Sequence, residues 1–452
     1  MADFDAIFKA YDIRGTVPDQ LDVDGARAIG AGFGRFVRDH PDGGRTVVVA
    51  HDMRPSGPDM VAAFTEGCTS QGVSVELVGL ASTDMMYFAS GSRNQPGAVF
   101  TASHNPAQYN GIKMCLAGAM PLGADTGMGE IKALAEQFVA EGIEPQGEPG
   151  TVTEIELLDD FAQHCLSFVD VASLSPLKII ADTANGMGGL VVPAVFQHLP
   201  FDLEIMYPEL DGTFPNHPAD PIQPENQRDL IARVLETGAD LGLAFDGDAD
   251  RVFLVDEKGQ GVSGSLTTAL VAKGLLAKTP GATILHNLIC SKSVPEVVAE
   301  GHGTAVRTQV GHSYIKQVMA DSGALFAGEH SGHYYFRDNY RADSGLIASL
   351  IILEMVSAAG VPLSELVAPV DRYAASGEIN TKVDDTDVVI EKVATHYADA
   401  DQDRLDGLTV DFGDWWFNLR ASNTEPLLRL NLEAATPAEC DARVAEVRSL
   451  FA

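Results

Sequence analysis

Asp246, Asp248 and Asp250 stand at alternate positions in "LGLAFDGDADRVFLVD" (241–256), spaced by Gly247 and Ala249 and followed by Arg251. Three carboxylates so close repel one another unless something positive sits among them. Small spacers between apolar, strand-like runs suit a tight loop wrapped around a hard cation such as Mg²⁺ or Ca²⁺. An EF-hand shares the spacing, and Glu257 even falls at its twelfth position. However, Arg251 occupies the sixth, where that loop needs Gly, and the flanks read as strands rather than helices. With three carboxylates around one cation a further ligand is still wanted, and a phosphate oxygen would serve.

"GAVFTASHNP" (97–106) supplies a hydroxyl suited to carry such a phosphate. Gly97–Phe100 reads as a strand, Asn105-Pro106 as a turn, and Ser103 and His104 lie between them. A Ser-His-Asp hydrolase is disfavoured, because adjacent residues at a strand end tend to point apart and no G-x-S-x-G elbow is present. A covalent phosphoryl carrier needs an exposed hydroxyl on a loop, a cation and surrounding donors, and the Asp loop supplies the cation. In "NGIKM" (110–114), Lys113 falls in the same pocket if the chain turns back after Pro106.

Two further clusters have binding chemistry. "GEHSGHYYF" (328–336) places Glu329, Ser331 and His333 at alternate positions, so in an extended segment they project to one side, suited to vicinal hydroxyls. "RASNTEPLLR" (420–429) sets Arg420 and Arg429 about Ser422, Asn423 and Thr424, a donor set for a phosphate. "FKAYDIRG" (8–15) adds Tyr11 and Arg14 just before a Gly turn.

The elements that must position these loops follow a rhythm. "TVVVAHDMR", "LKIIADTANGMGG" and "GATILHNLICSKSV" are each a short apolar run, then Asp or Asn, then a loop and a helix-like stretch, which predicts α/β units on largely parallel sheets. The last segment alternates differently, with "GEINTKV", "DGLTVDFGDWWFNLRAS" and "PLLRLNLEA" as antiparallel strands and two helices, an α+β pattern. Joints fall at 140–154, 255–261 and 367–381, giving domains at 1–148 (serine loop), 149–258 (Asp loop), 259–369 (GEHSGH loop) and 370–452 (arginine loop). The 452-residue length agrees with three or four domains.

Composition sets the partners. The 64 acidic against 30 basic residues give a net charge of −34, a surface that repels nucleic acid and anionic lipid. Five scattered cysteines without a C-x-x-C indicate a reducing, cytoplasmic setting, and the N-terminus lacks the apolar core of a secretory signal. "GLIASLIILEMVSAAG" is too short for a membrane span and reads as a buried helix.

Taken in order, "YDIRG", "TASHNP", "DGDADR", "GEHSGH" and "RASNTEP" closely resemble the motifs of the α-D-phosphohexomutase superfamily, over essentially the whole chain. The resemblance implies three related α/β domains with mixed sheets and a C-terminal α+β domain around a central cleft. It implies an isomerase with Ser103 as the phosphoserine, and Mg²⁺ held by Asp246, Asp248, Asp250 and a phosphate oxygen on Ser103. Arg14, His104, Lys113 and Arg251 would surround the transferring group, with the choice of general acid or base left open. Tyr11, His312, Glu329, Ser331 and His333 would bind the sugar, and Arg420, Ser422, Asn423, Thr424 and Arg429 the phosphate that is not transferred. The implied reaction passes through a hexose 1,6-bisphosphate, which doubles as activator. "GEHSGHYYF" looks most like the phosphomannomutases, including those that accept glucose phosphates. The alternatives are a phosphoglucomutase or phosphoglucosamine mutase, a Mg²⁺-dependent sugar phosphatase, and a non-catalytic Ca²⁺- or sugar-phosphate-binding protein.

Overall fold

The computed structural model describes residues 2–9, 11–421 and 427–451; the side chains of residues 124, 125 and 312 lie outside that description. Among the described residues the strands form four sheets. The first holds β1 (Ile13–Thr16), β2 (Thr46–His51), β3 (Ser74–Leu80), β4 (Gly97–Phe100), β5 (Tyr109–Leu116), β6 (Met120–Pro121) and β7 (Val152–Glu154), in the order β1-β5-β4-β2-β3-β7 with β6 on β5. The second holds β8 (Lys178–Asp182), β9 (Asp202–Met206), β10 (Leu241–Phe245), β11 (Val252–Asp256) and β12 (Gly261–Val262), ordered β12-β11-β10-β8-β9. The third holds β13 (Thr283–Asn287), β14 (Thr304–Thr308), β15 (Phe326–Gly328) and β16 (Tyr334–Phe336), ordered β14-β13-β15-β16.

One four-strand plan repeats in all three: β5-β4-β2-β3, β11-β10-β8-β9 and β16-β15-β13-β14. In each, three strands run parallel and the fourth returns antiparallel. Each repeat is thus largely parallel with one antiparallel return, the mixed sheet that the resemblance implies. The serine, Asp and GEHSGH loops are each the turn between the third parallel strand and its antiparallel return.

Strand alternation divides the cores. In β2, Val48 and Ala50 face a core that continues through the second and third units, while Val47 and Val49 face a separate core within the first. The continuous core runs from Met85 and Phe88 through Phe161 and Leu254 to Leu270 and Ile351. The apolar run near 350 is a helix, Gly345–Ala359, buried as expected. No described helix is long and apolar enough to cross a membrane. All five cysteines are free and buried.

The fourth unit is α+β, as its alternation indicated. β17 (Ala374–Lys382), β18 (Asp401–Asp403), β19 (Leu408–Asp411), β20 (Trp416–Ala421) and β21 (Leu427–Ala434) form an antiparallel sheet, β17-β21-β20-β19-β18, packed by helices Thr386–His396 and Pro437–Arg448 around its own core. Three expected boundaries shift by a few residues. β7 joins the first sheet beyond residue 148, β12 joins the second beyond 258, and the 367–381 joint shortens to 368–373 because β17 starts at Ala374. Edge strands contributed from across a joint carry too little apolar pattern to be assigned from sequence.

Candidate active site

β4 delivers the serine loop and β5 takes it away, with Val99 opposite Lys113. Ser103 adopts φ +50, a left-handed conformation that costs a non-glycine residue roughly 1 kcal/mol. Its amide donates to Thr101 Oγ1 (2.9 Å), and its hydroxyl donates to Asp246 Oδ2 (2.8 Å). The turn also brings His104 Nδ1 within 3.3 Å of Oγ, closer than the expectation that neighbours diverge, because a left-handed residue breaks strand alternation. The hydroxyl's shorter contact is nevertheless to the Asp loop.

The Asp loop crosses beneath it. A Cβ on Gly247 would lie 2.5 Å from the Ser103 carbonyl, so only glycine permits the two loops to touch. Asp246, Asp248 and Asp250 are fully buried, and one ligand atom from each lies within 4.8 Å of the others. Asp246 accepts from Arg251 Nε (2.8 Å). Asp248 accepts from Thr83 Oγ1 (2.6 Å) and Lys113 Nζ (2.8 Å), and Asp250 from the same ammonium (2.6 Å). Two side-chain cations thus face three anions, and Asp248 Oδ1 and Asp250 Oδ1 are buried without a hydrogen-bond partner. Burial, opposed by Arg251 and reinforced by Asp250 and Asp248, pushes Asp246 up to about 7. Burial acts the same way on Asp248, but Lys113 overrides it and holds that carboxyl well below the usual range. Orphaned carboxylate oxygens around a cation-sized gap fit a hard divalent ion, with Ser103 as the entry point for a phosphate oxygen.

Cations ring this centre. Arg14 lies on β1 opposite Gly111, donates from Nη1 to Asn105 Oδ1 (2.7 Å) and keeps a buried, unpartnered Nε. Arg251 keeps Nη2 buried and unpartnered, while its Nη1 lies 3.7 Å from Asp220 Oδ1. Burial, then Arg251 and Arg14, hold His104 well below the usual imidazole value. Lys113 is committed to the acidic loop. Tyr11 packs edge-on against Tyr314, and a Cβ on Gly311 would come 2.8 Å from its hydroxyl, so it meets the first turn of the helix that begins at His312.

The GEHSGH segment departs from the extended reading. It is a tight hairpin turn between β15 and β16: the Glu329 amide donates to the His333 carbonyl (3.0 Å), and Gly332 sits at φ +86. Glycine's left-handed turn breaks the alternation that would have aligned the trio. Glu329 instead faces inward, accepting from Tyr335 Oη (2.6 Å) and Asn287 Nδ2 (3.1 Å). His333 Nδ1 is 2.8 Å from Asp343 Oδ2 and 3.8 Å from Asp250 Oδ1, and these carboxylates hold the imidazole above its usual value against burial. Ser331 and His330 face the cleft.

That cleft, about 1200 Å³, is lined by His104, Arg251, Ser331, Arg420 and Arg429 among others. Arg420 and Arg429 stand directly opposite on β20 and β21, a like-charge pairing that is unfavourable unless an anion intervenes. Both reach the one carboxylate of Glu378 (2.9 and 3.3 Å), and Arg420 Nε stays buried and unpartnered. Two guanidiniums against the one carboxylate leave the pair with net positive charge at the cleft. Ser422, Asn423 and Thr424 lie outside the described residues, between these strands.

Several residues at the site carry no sequence signal of their own. Glu378 and Asp343 acquire roles only through partners distant in the chain. Thr83 begins a helix whose first turn seats the Asp loop: its amide donates to the Asp248 carbonyl (3.1 Å). Arg54, in "HDMRPSG", is fully buried and donates to the carbonyls of Ser103, Asn105, Pro106 and Tyr109.

Comparison with known proteins places this geometry among relatives. The chain matches the phosphoglucomutase/phosphomannomutase alpha/beta/alpha domains I, II and III over residues 5–139, 157–260 and 263–373, and the C-terminal domain over 378–450. It is 41% identical over 451 residues to a protein named "Phosphohexose mutases" from Xanthomonas campestris pv. campestris, covering 98% of each chain. It is 40% identical over 440 residues to a phosphomannomutase of Salmonella montevideo, covering 94% of each. A crystal structure of a phosphoglucomutase/phosphomannomutase family protein from Burkholderia thailandensis superposes with a TM-score of 0.89 at 33% identity, covering 100% of this chain and 97% of that one.

Proposed function

The chain belongs to the phosphoglucomutase/phosphomannomutase family and is a phosphohexomutase, and from that premise we propose that it interconverts mannose 6-phosphate and mannose 1-phosphate through a phosphorylated Ser103. The observation that carries the reading is Ser103 Oγ, held 2.8 Å from Asp246 Oδ2 in a trio of buried carboxylates of which Asp248 and Asp250 each keep one oxygen unpartnered.

In this reading, phosphoserine gives its phosphoryl group to the free hydroxyl of the hexose monophosphate. A phosphorus–oxygen bond forms to the sugar as the bond to Oγ breaks, leaving serine and a hexose 1,6-bisphosphate. The bisphosphate turns over in the cleft, and Oγ attacks its other phosphorus, releasing the isomeric monophosphate. Arg14 and Arg251, each with an unpartnered buried nitrogen, bind the equatorial oxygens as charge spreads over them. Lys113 holds Asp248 and Asp250 in place and keeps Asp248 ionised. Proton traffic falls to the two imidazoles beside the loops: His104, kept neutral by burial, and His333, kept basic by Asp250 and Asp343. Asp246, Asp248 and Asp250 would hold Mg²⁺, which when bound supplies electrostatic stabilisation of the transferring group. Arg420 and Arg429, with Ser422, Asn423 and Thr424, bind the phosphate that stays. Because that clasp reads a phosphate rather than a ring, either end of the bisphosphate fits it, which a mutase requires. Ser331, on the cleft wall, holds a sugar hydroxyl between the two phosphate sites, while Glu329 is turned inward to Tyr335 and Asn287.

The test is a coupled assay with mannose, glucose and N-acetylglucosamine 1-phosphates in Mg²⁺, alongside intact mass of the protein. We expect kcat/KM highest for mannose 1-phosphate and one phosphoryl group per chain on Ser103. Net release of inorganic phosphate, or full activity in Ser103→Ala, would overturn the reading.

A further inference from the structure

The serine loop is not held by the residues that do its chemistry. Its backbone is gripped from behind by Arg54, whose guanidinium donates from Nη2 to the carbonyls of Ser103 (2.9 Å) and Asn105 (2.6 Å) and from Nη1 to those of Pro106 and Tyr109 (2.9 Å each). Asp52 completes the fork: its Oδ2 accepts from Arg54 Nε (3.2 Å) and its Oδ1 from the Arg54 amide (2.9 Å). Both side chains are fully buried. The second unit closes over the same group. The Phe214 ring centroid is 5.2 Å from the guanidinium carbon, and a Cβ on Gly212 would lie 2.7 Å from Arg54 Cα.

This is more donor capacity than a turn needs for folding. A loop of this length satisfies its carbonyls with water, whereas here four converge on one planar group while Ser103 is kept left-handed. The Ser103 carbonyl is also the atom that Gly247 of the Asp loop approaches. Fixing that carbonyl therefore fixes the direction of Oγ relative to Asp246.

We infer that Arg54, held by Asp52, is a positioning residue for phosphoryl transfer: it locks the serine loop so that Oγ, or the phosphoryl group on it, stays aimed at the acidic loop. Arg54 acts through Ser103 and touches neither substrate nor metal. Its replacement is a loss of aim, which appears in kcat, while the sugar and phosphate sites that set KM lie elsewhere. This inference rests on Ser103 being the phosphoryl carrier.

The test compares the parent with Arg54→Lys and Asp52→Asn. Lysine keeps the charge but replaces the planar fork by a point donor. For Arg54→Lys we expect kcat to fall at least 100-fold with KM within threefold, and Ser103 phosphorylation by glucose 1,6-bisphosphate, followed by intact mass, to slow by a similar factor. For Asp52→Asn we expect about a tenfold fall in both. A folded Arg54→Lys protein with kcat within threefold of the parent, or with its loss confined to KM, overturns the inference. Should Arg54→Lys not melt cooperatively, Asp52→Asn decides: kcat within twofold of the parent overturns it. If the parent itself shows neither mutase activity nor Ser103 phosphorylation, the functional reading fails, independently of Arg54.

Discussion

The first three units and the fourth are joined in different ways. The three α/β units share one continuous apolar core, stitched by buried polar contacts: Ser344 Oγ donates to Asp84 Oδ2 (2.6 Å), and Thr83 to Asp248. Ser344 also caps the buried helix 345–359, so one hydroxyl serves both the helix and the seam. The fourth unit has a core of its own and meets the third through polar contacts at its rim. Lys292 Nζ reaches Asp411 (2.6 Å), its amide reaches Glu433 (2.9 Å), and Arg307 pairs with Asp403. The division matches the chemistry. In the proposed mechanism, phosphoryl transfer needs Ser103, the acidic loop and the imidazoles fixed relative to one another, and these lie in the fused body. The same proposal needs a site for the retained phosphate that can release and regrip, and Arg420 and Arg429, its proposed clasp, sit on the unit attached at its rim.

The largest effects should follow from damage to the fused body. Ser103→Ala is expected to bring turnover of mannose 1-phosphate to the assay background and to abolish the phosphoryl adduct seen by intact mass, with the melting temperature unchanged. Asp250→Asn removes one charge from the acidic trio while keeping its shape. We expect kcat to fall on the order of 10²–10³-fold, with partial recovery at high Mg²⁺. Retained activity in either variant would remove the fused body's claim to the chemistry.

The next effect belongs to the fourth unit. Arg420→Gln deletes a charged donor to phosphate, worth about 1.5–3 kcal/mol, so KM should rise by about 10- to 150-fold. Ser103 phosphorylation in the absence of sugar should stay normal. A fall in kcat with KM unchanged would place Arg420 in the chemistry and erase the contrast between the two regions.

How much of this was legible beforehand follows the same division between local and long-range. The acidic loop reads directly because its three carboxylates fall within five residues and its glycine spacer is visible. The α/β rhythm and the α+β ending read from apolar alternation. Arg54 is silent, since its four acceptors sit roughly fifty residues away and any buried arginine looks alike in sequence. The alternate spacing of Glu329, Ser331 and His333 suggests one face, but Gly332 turns the chain and sends Glu329 to Asn287 and His333 to Asp343. Spacing reports geometry only where the backbone is regular.

The smallest effect tests the rim itself. Lys292→Ala removes the bonds from Nζ to Asp411 and to the Gly413 carbonyl (2.7 Å) but leaves the amide bond to Glu433. The Lys292 and Asp411 side chains are 22% and 41% exposed, so the pair is worth about 0.2–1 kcal/mol. That converts to a change of about 1.4- to 5-fold in KM for the sugar phosphate, with kcat unchanged because Ser103 and the acidic loop are untouched. Screening should shrink the difference between variant and parent as salt rises from 0.05 to 0.5 M, where the Debye length falls below about 5 Å. Small-angle scattering should show the two proteins differing in the free state and converging with a hexose phosphate bound, as the clasp on phosphate replaces the lost rim contact. A variant whose kcat falls with KM constant would mean that the rim sets the geometry of the serine loop, and the fourth unit would then have to be counted as part of the fused body.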